Sequence, residues 1–426
     1  MKILVLNSGS SSQKSCLYDF PNHSLPSTPP KPVWAAQIDW THQDSYAELK
    51  VKTVSGAVFQ ETCPSESKLA DTNKALQTLW SGTTQVIESP QDIDIVGHRI
   101  VHGGEKYRQS VWIDAEVKTE IDRLSLFAPL HNPANLAGIN AIEHIFGADI
   151  PQVAVFDTAF HANLTPAAYT YPGAYEWLNQ GIRRYGFHGI SHQYCAQRAA
   201  QILGRLQSLK LITCHLGNGC SLAAIRDGVS IDTTMGFTPL EGLMMGTRSG
   251  SIDPGILIHL LRHSGCTVDD LDRLLNHNSG LLGISGISND LRQITVAMGQ
   301  GDERAKLAFD LFVHRLRSNI GAMLASLGGV DALVFTAGIG ENSAAIRSAA
   351  CEGFEFLGLS LATPPPCGID SAKNKSNPID LDISYPDSKV RVLVIHTEED
   401  WAIAQECHRM ASGFSDERLS RDGRLV

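Results

Sequence analysis

No stretch of this 426-residue chain stays apolar for the ~18 residues that a helical bilayer span requires. The apolar stretch between Lys2 and Ser8 is likewise too short for the core of a secretory signal. Cysteine occurs nine times but never as Cys-x-x-Cys, and the count is odd. Neither a disulfide framework nor a structural zinc site is expected; small buried hydrophobes in a reducing cytoplasm are. Basic residues are short, with 35 Lys and Arg against 45 Asp and Glu, for a net charge of −10. A nucleic-acid partner usually shows as a basic face, so none is expected. Affinity for anions must therefore be local, from a few arginines and loop amides. Two common nucleotide fingerprints are also missing. Nothing matches Gly-x-x-x-x-Gly-Lys-Ser/Thr, and Gly338-Ile339-Gly340-Glu341-Asn342 lacks the third glycine of a dinucleotide loop.

What is present is a chain long enough for two domains, 43% apolar and 19% charged. Residues 210–228, KLITCHLGNGCSLAAIRDG, hold the clearest local signal. An apolar run breaks at Gly217-Asn218-Gly219 and resumes as an alternating run, which predicts a hairpin with positive φ available at its turn. Backbone N–H groups bared at such a turn can converge on a phosphate. The N-terminus repeats the design, with residues 2–7, then Ser8 to Ser12, then 13–19. Asn7 and Asn218 stand about half a chain apart, which predicts a duplicated α/β domain with a nucleotide between its halves.

Residues 21–34 and 363–378 are proline-rich and read as surface loops. Residues 35–60 predict two or three strands, and 71–81 a helix. Residues 93–97 read as a strand running into a polar loop with His98, Arg99, His102 and Gly103-Gly104, the kind of strand end where open α/β sheets place catalytic groups. An ordinary turn with a salt-bridged arginine is the competing reading. Asn132 and Pro133 predict a helix start beside His131. A strand over 151–156 brings Asp157 and His161 to its end, and residues 183–189 lead His188 into a helix. Residues 232–255 are rich in glycine without a clean period, an ordered loop carrying Arg248. Residues 302–327 predict a long helix ended by Gly328-Gly329. The last strand delivers Glu398, Glu399 and Asp400, either a helix's acidic first turn or oxygens for a hard cation.

Ten motifs in order, LNSGSSSQKS, HRIVHGGE, APLHNPANL, FDTAFH, RRYGFHGISH, HLGNGCSLAAI, DTTMGFTPLEGLMMGTRSGSIDP, NSGLLGISGISNDLR, FTAGIGENS and TEED, resemble the acetokinase family from Met1 to about Ala404. That family lies in the superfamily of acetate and sugar kinases, heat-shock chaperones and actin. The resemblance implies an α/β fold of duplicated actin-like (ribonuclease H-like) domains with an interdomain nucleotide cleft. It divides the chain into 1–160 plus 402–426 and 161–401. It implies a cytoplasmic homodimer that moves the ATP γ-phosphoryl reversibly to a short-chain carboxylate, with Mg²⁺ or Mn²⁺.

By position the resemblance puts Arg99 and Arg248 on phosphoryl and carboxylate, His188 on the phosphoryl with His131 nearby, and Asp157 as a positioning group. Asn7 and Glu399 serve the metal. His215, Gly217, Asn218 and Gly219 meet the ATP phosphates, while Asp290, Arg292, Gly338, Ile339, Gly340 and Asn342 match adenosine positions. Val101, Leu130, Phe187 and Pro239 match an apolar acyl pocket. The sequence departs from the family pattern at Glu398, usually Asn, which adds a second carboxylate beside the metal position. Ser15 stands where an aromatic is common, and Ser251 where Asp is frequent. Propionate kinase is the competing activity, since one methylene in an apolar pocket discriminates by only ~1–3 kcal/mol. An actin-fold ATPase without a metabolic substrate would share the hairpins, with no use for Arg99, His131, His188 and Arg248 together.

Overall fold

The structure, a computed structural model, describes residues 1–9, 12–40, 45–205, 207–362 and 380–422, with side chains as far as Ser412. Ser10, Ser11 and the proline-rich stretch 363–378 lie outside the described residues. The chain divides into two compact units, Met1–Ala159 with Glu398–Val426, and Phe160–Thr397.

The first unit is built on an eight-stranded sheet. Its strands are β1 (Lys2–Ser8), β2 (Ser12–Asp19), β3 (Trp34–Asp39), β4 (Tyr46–Thr53), β5 (Val58–Pro64), β6 (Ile95–Ile100), β7 (Val111–Trp112) and β8 (Gln152–Phe156). Their order is β5-β4-β3-β2-β1-β6-β8-β7. The antiparallel meander β1 to β5 meets β6 and β8, which run parallel to β1. The continuous apolar run of β1 is what a strand buried on both faces requires. Leu4, Leu6, Leu17 and Trp34 form one core with Ala75, Leu76 and Ile142 of helices Lys68–Gln77 and Asn132–Phe146. The C-terminal helix Glu399–Asp422 also packs on β1 and β6, with Trp401 edge-on to Tyr18.

The second unit carries β9 (Lys210–Leu216), β10 (Cys220–Arg226), β11 (Val229–Thr233), β12 (Ala332–Thr336), β13 (Leu381–Asp382) and β14 (Arg391–Val394), in the order β11-β10-β9-β12-β14-β13. Again a hairpin meets two parallel strands, β12 and β14. Helix Glu303–Leu327, capped by Asp302 and ended by left-handed Gly328, buries Phe312, Leu316, Ile320 and Met323. Helix Gly189–Leu203 packs on β9 and β12.

Three local expectations change. The strand expected over 93–97 is β6, which continues through His98 and Arg99 to Ile100. Gly97 marks no turn: a Cβ there would collide with Cys407 Sγ and Ile403 Cγ2, so it is the close approach of strand and C-terminal helix. Asn132 lies inside its helix, and His131 occupies the cap position. The Asn132 side chain instead accepts from His102 N at 3.1 Å and donates to His102 O at 3.2 Å. Gly338 and Gly340 sit in a helical turn, Ala337–Asn342, entered through Ala337 at φ 64.

Candidate active site

In the first unit three adjacent parallel strands end side by side, which places their terminal residues together. Asn7 is the next-to-last residue of β1, Arg99 the next-to-last of β6, and Asp157 follows β8. Arg99 Nη2 donates to Asp157 Oδ2, and Nη1 donates to Asn7 Oδ1 at 3.3 Å. Asn7 Nδ2 donates to Glu399 Oε2 and to Asp400 Oδ1, each at 3.3 Å. Of the adjacent pair Glu398 and Glu399, it is Glu399 that meets Asn7. The guanidinium thus bonds one carboxylate directly and lies in the field of two more. Burial opposes the charge on Arg99, but Asp157, then Glu399 and Asp400, hold it protonated. Burial pushes the Asp157 carboxyl above the ordinary range, and Arg99 pulls it back. Burial raises Asp400 too. Arg99 Nε is buried with no acceptor among the described residues. His131 occupies the cap position of helix Asn132–Phe146 without a side-chain capping bond, Val101, just after β6, is buried, and Leu130 is exposed.

In the second unit the hairpin turn between β9 and β10 takes no positive φ at Gly217, Asn218 or Gly219. A Cβ at Gly219 would stand in ordinary contact with its neighbours, 3.4 Å from His188 Nε2 and 3.6 Å from Arg248 Nη1. The turn, His188 and Arg248 are therefore neighbours. His188 stacks on His215 with ring centroids 4.1 Å apart, and His215 Nδ1 lies 2.8 Å from Ser191 Oγ. Arg248 Nη1 donates to Pro239 O at 3.3 Å, and Gly246 N donates to Asn218 O at 3.0 Å, so the irregular stretch 234–253 is tied to the turn. Asp290 caps helix Leu291–Gly299 and pairs with Arg292, and both line an open groove with Ile287 and Val296. Asn342 Nδ2 donates to Gly338 O at 2.9 Å, and a Cβ at Gly338 would meet only open space. Phe187 is fully buried.

The family model described as "Acetokinase family" matches residues 2–405. The chain belongs to the acetokinase family. It is 63% identical over 408 residues to the acetate kinase of Gloeobacter violaceus, covering 96% of this chain and 98% of the relative. The crystal structure of Porphyromonas gingivalis acetate kinase is similar with a TM-score of 0.86 at 39% identity, over 96% of this chain and 99% of that one. A propionate kinase from Francisella tularensis follows at TM-score 0.83 and 37% identity, with the same shares covered. The acetokinase fold, two actin-like domains, agrees with the sheet orders above, and the chain is a kinase.

Two groupings were not visible along the sequence of this acetokinase. Asp157 and His161, four residues apart, separate: Asp157 serves Arg99 in the first unit, and His161 is buried in the second against Ser230 and Phe187 O. The second is a buried set behind His188, formed by His192, Ser221 and Thr213. The residue types were in view, His192 one helical turn after His188 and Ser221 and Thr213 within mainly apolar strands, but not their pairing. Asp400 belongs with Asn7 and was read only as part of an acidic run. No helix among the described residues is long and apolar enough to cross a membrane.

Proposed function

We propose that the protein transfers the γ-phosphoryl group of ATP reversibly to acetate, giving acetyl phosphate and ADP. A carboxylate oxygen of acetate attacks phosphorus in line while the bond to the leaving ADP oxygen breaks. Acetate is already ionised at neutral pH, so the step needs no general base. What it needs is relief of repulsion, since two unit charges ~4 Å apart repel by roughly 4 kcal/mol at an effective dielectric near 20. Guanidiniums at Arg99 and Arg248 answer that, being permanently charged and forked. The observation that carries the reading is Arg99: partly exposed, kept charged by Asp157, with a buried Nε donor that no described residue accepts. His188 donates to the phosphoryl as charge develops, and His215 and the Gly217–Gly219 turn receive the ATP phosphates. Asp290, Arg292 and the 338–342 turn receive adenosine. Val101 and Leu130 of the first unit and Phe187 and Pro239 of the second are the apolar residues assigned to the methyl group of acetate in this reading.

Mg²⁺ suits the first unit's donor set. Among the described residues no three side chains form a metal cage by themselves. Mg²⁺ is ordinarily held by one or two carboxylates plus substrate phosphates, and the carboxylate excess around Arg99 fits that pattern through Glu399 and Asn7. Bound there, the ion would neutralise phosphate charge. A homodimer belongs to the same reading. Helix Pro254–His263 carries Ile256, Ile258 and Leu261 exposed and buries no residue, so a second copy has an apolar face to cover; a monomer by light scattering would count against it. The described cysteines are all free, as a cytoplasmic protein would keep them.

The test is ADP release from ATP and Mg²⁺ with acetate, propionate and butyrate in parallel, the products trapped by hydroxylamine. Acetate should give hydroxamate at the highest kcat/KM. Propionate in first place would move the substrate by one methylene, and ATP turnover indifferent to carboxylate would sink the reading.

A further inference from the structure

Behind His188 lies a line of buried polar groups for which the transfer chemistry has no stated use. Thr213 on β9, Ser221 on β10 and His192 in the first turn of helix Gly189–Leu203 have no exposure at all. Thr213 Oγ1 lies 2.7 Å from His192 Nδ1, and His192 Nε2 lies 2.7 Å from Ser221 Oγ. Ser221 Oγ lies 2.9 Å from His188 Nδ1.

Each hydroxyl in this line has one proton to give, and a neutral imidazole has one. His192 is neutral, because burial first, and His161 and His215 after it, hold its pKa well below the usual range. Among the described residues Thr213 Oγ1 has no hydrogen-bond partner besides His192. If Thr213 only accepted, its own proton would be buried without a partner, at a cost of about 1–3 kcal/mol. Thr213 therefore donates to Nδ1 of His192. His192 then carries its proton at Nε2 and gives it to Ser221 Oγ. The Ser221 proton is left for Nδ1 of His188, and the His188 proton sits at Nε2, on the edge that faces Gly219.

A second contact holds the backbone just before the same residue. His161 Nε2 lies 3.2 Å from the carbonyl oxygen of Phe187, which can only accept, so His161 donates there and takes a hydrogen bond from Ser230 at Nδ1, 2.7 Å away. That carbonyl immediately precedes His188, which stands in the left-handed region at φ 57, ψ 26. Such a conformation in a non-glycine residue costs of order 1–3 kcal/mol and persists where its surroundings hold it.

The geometry points to Thr213, His192 and Ser221 as positioning residues that fix His188 in the Nε2–H form, so that it meets substrate as a hydrogen-bond donor. This rests on the reading that His188 serves the transferring phosphoryl. The tautomer is read directly from the histidine ring nitrogens of the full-length ¹⁵N-labelled protein, with His188→Gln to assign the signals. Wild-type His188 should be protonated at Nε2 and bare at Nδ1. Thr213→Val keeps the shape and suits a strand but removes the donor that sets the direction. It should introduce an Nδ1-protonated population and lower kcat about tenfold, the worth of one hydrogen bond, with KM for ATP and acetate unchanged. Thr213→Ser should restore both, and Ser221→Ala should reproduce the loss. Wild-type His188 protonated at Nδ1, or Thr213→Val with unchanged tautomer and kcat, overturns the wire. A tautomer as stated together with near-normal turnover in His188→Gln would uphold the wire and remove the phosphoryl role.

Discussion

The two units share a frame of five strands, β3-β2-β1-β6-β8 in one and β11-β10-β9-β12-β14 in the other, and furnish it differently. The first gathers ions at its strand ends: Arg99 with Asp157, Glu399 and Asp400, joined through Asn7. Both hairpins also bury uncharged polar groups, Ser8, Gln13 and Ser15 in the first and Thr213 and Ser221 in the second. In the second they line up behind a histidine, His188. One copy of the frame supplies charge that cannot be neutralised, and the other supplies hydrogen bonds whose direction is set. A duplicated fold thus leaves the choice of electrostatics to a few side chains per copy.

The largest effect should come from removing charge. Arg99→Ala is expected to lower kcat by ~10³ or more, the scale of an arginine finger. It also strands the buried Asp157, so it should cost stability of about 3–5 kcal/mol, seen as a fall in Tm. Arg248→Ala should match it in kcat with a smaller loss of Tm, because Arg99 is paired with the buried Asp157 carboxylate whereas Arg248 donates to the Pro239 carbonyl. Equal losses of Tm in both would break the contrast drawn here. Next comes a neutral donor: His188→Ala should reduce kcat ~10²-fold, as for one oxyanion donor, and steady-state kinetics with acetate reads it.

Acid sensitivity follows from histidines in both units. Burial lowers His98 and His161 to about 4, and His192 further. In the unfolded chain each takes its proton near 6.5, so between those values the unfolded state binds more protons. Their contribution is intact above about 6.5 and is lost as pH falls toward 4, by about 3 kcal/mol each for His98 and His161. Calorimetric Tm should drop steeply over this window and less steeply in His98→Gln. A flat Tm from pH 6.5 to 5 would show these rings already charged in the folded protein.

Both hairpins, the long helix of the second unit and the irregular stretch around Arg248 were legible in the sequence. In each, a periodic apolar run or its absence coincides with glycine or asparagine at the boundary. Boundaries failed where glycine served packing. Gly97 looked like punctuation, yet it is where strand and helix touch, and that contact lies between residues some 300 positions apart. The residues of the candidate site were legible as motifs, since they cluster at strand ends. The groups behind His188 were not, because Thr213, Ser221 and His192 become partners only when β9, β10 and the helix at 189–203 meet. Periodicity reports which face a residue lies on and says nothing of which hydroxyl reaches which ring.

The helix that fills the space opposite Gly97 is drawn from the last residues of the chain. During synthesis β1 and β6 emerge early, but one covering of their apolar surface arrives only after the whole second unit has been made. The second unit, continuous in sequence, has all its parts as soon as residue 397 is out. Assembly on the ribosome therefore runs against the usual order in which N-terminal domains finish first. The unit that opens the chain is the one that must wait to be completed.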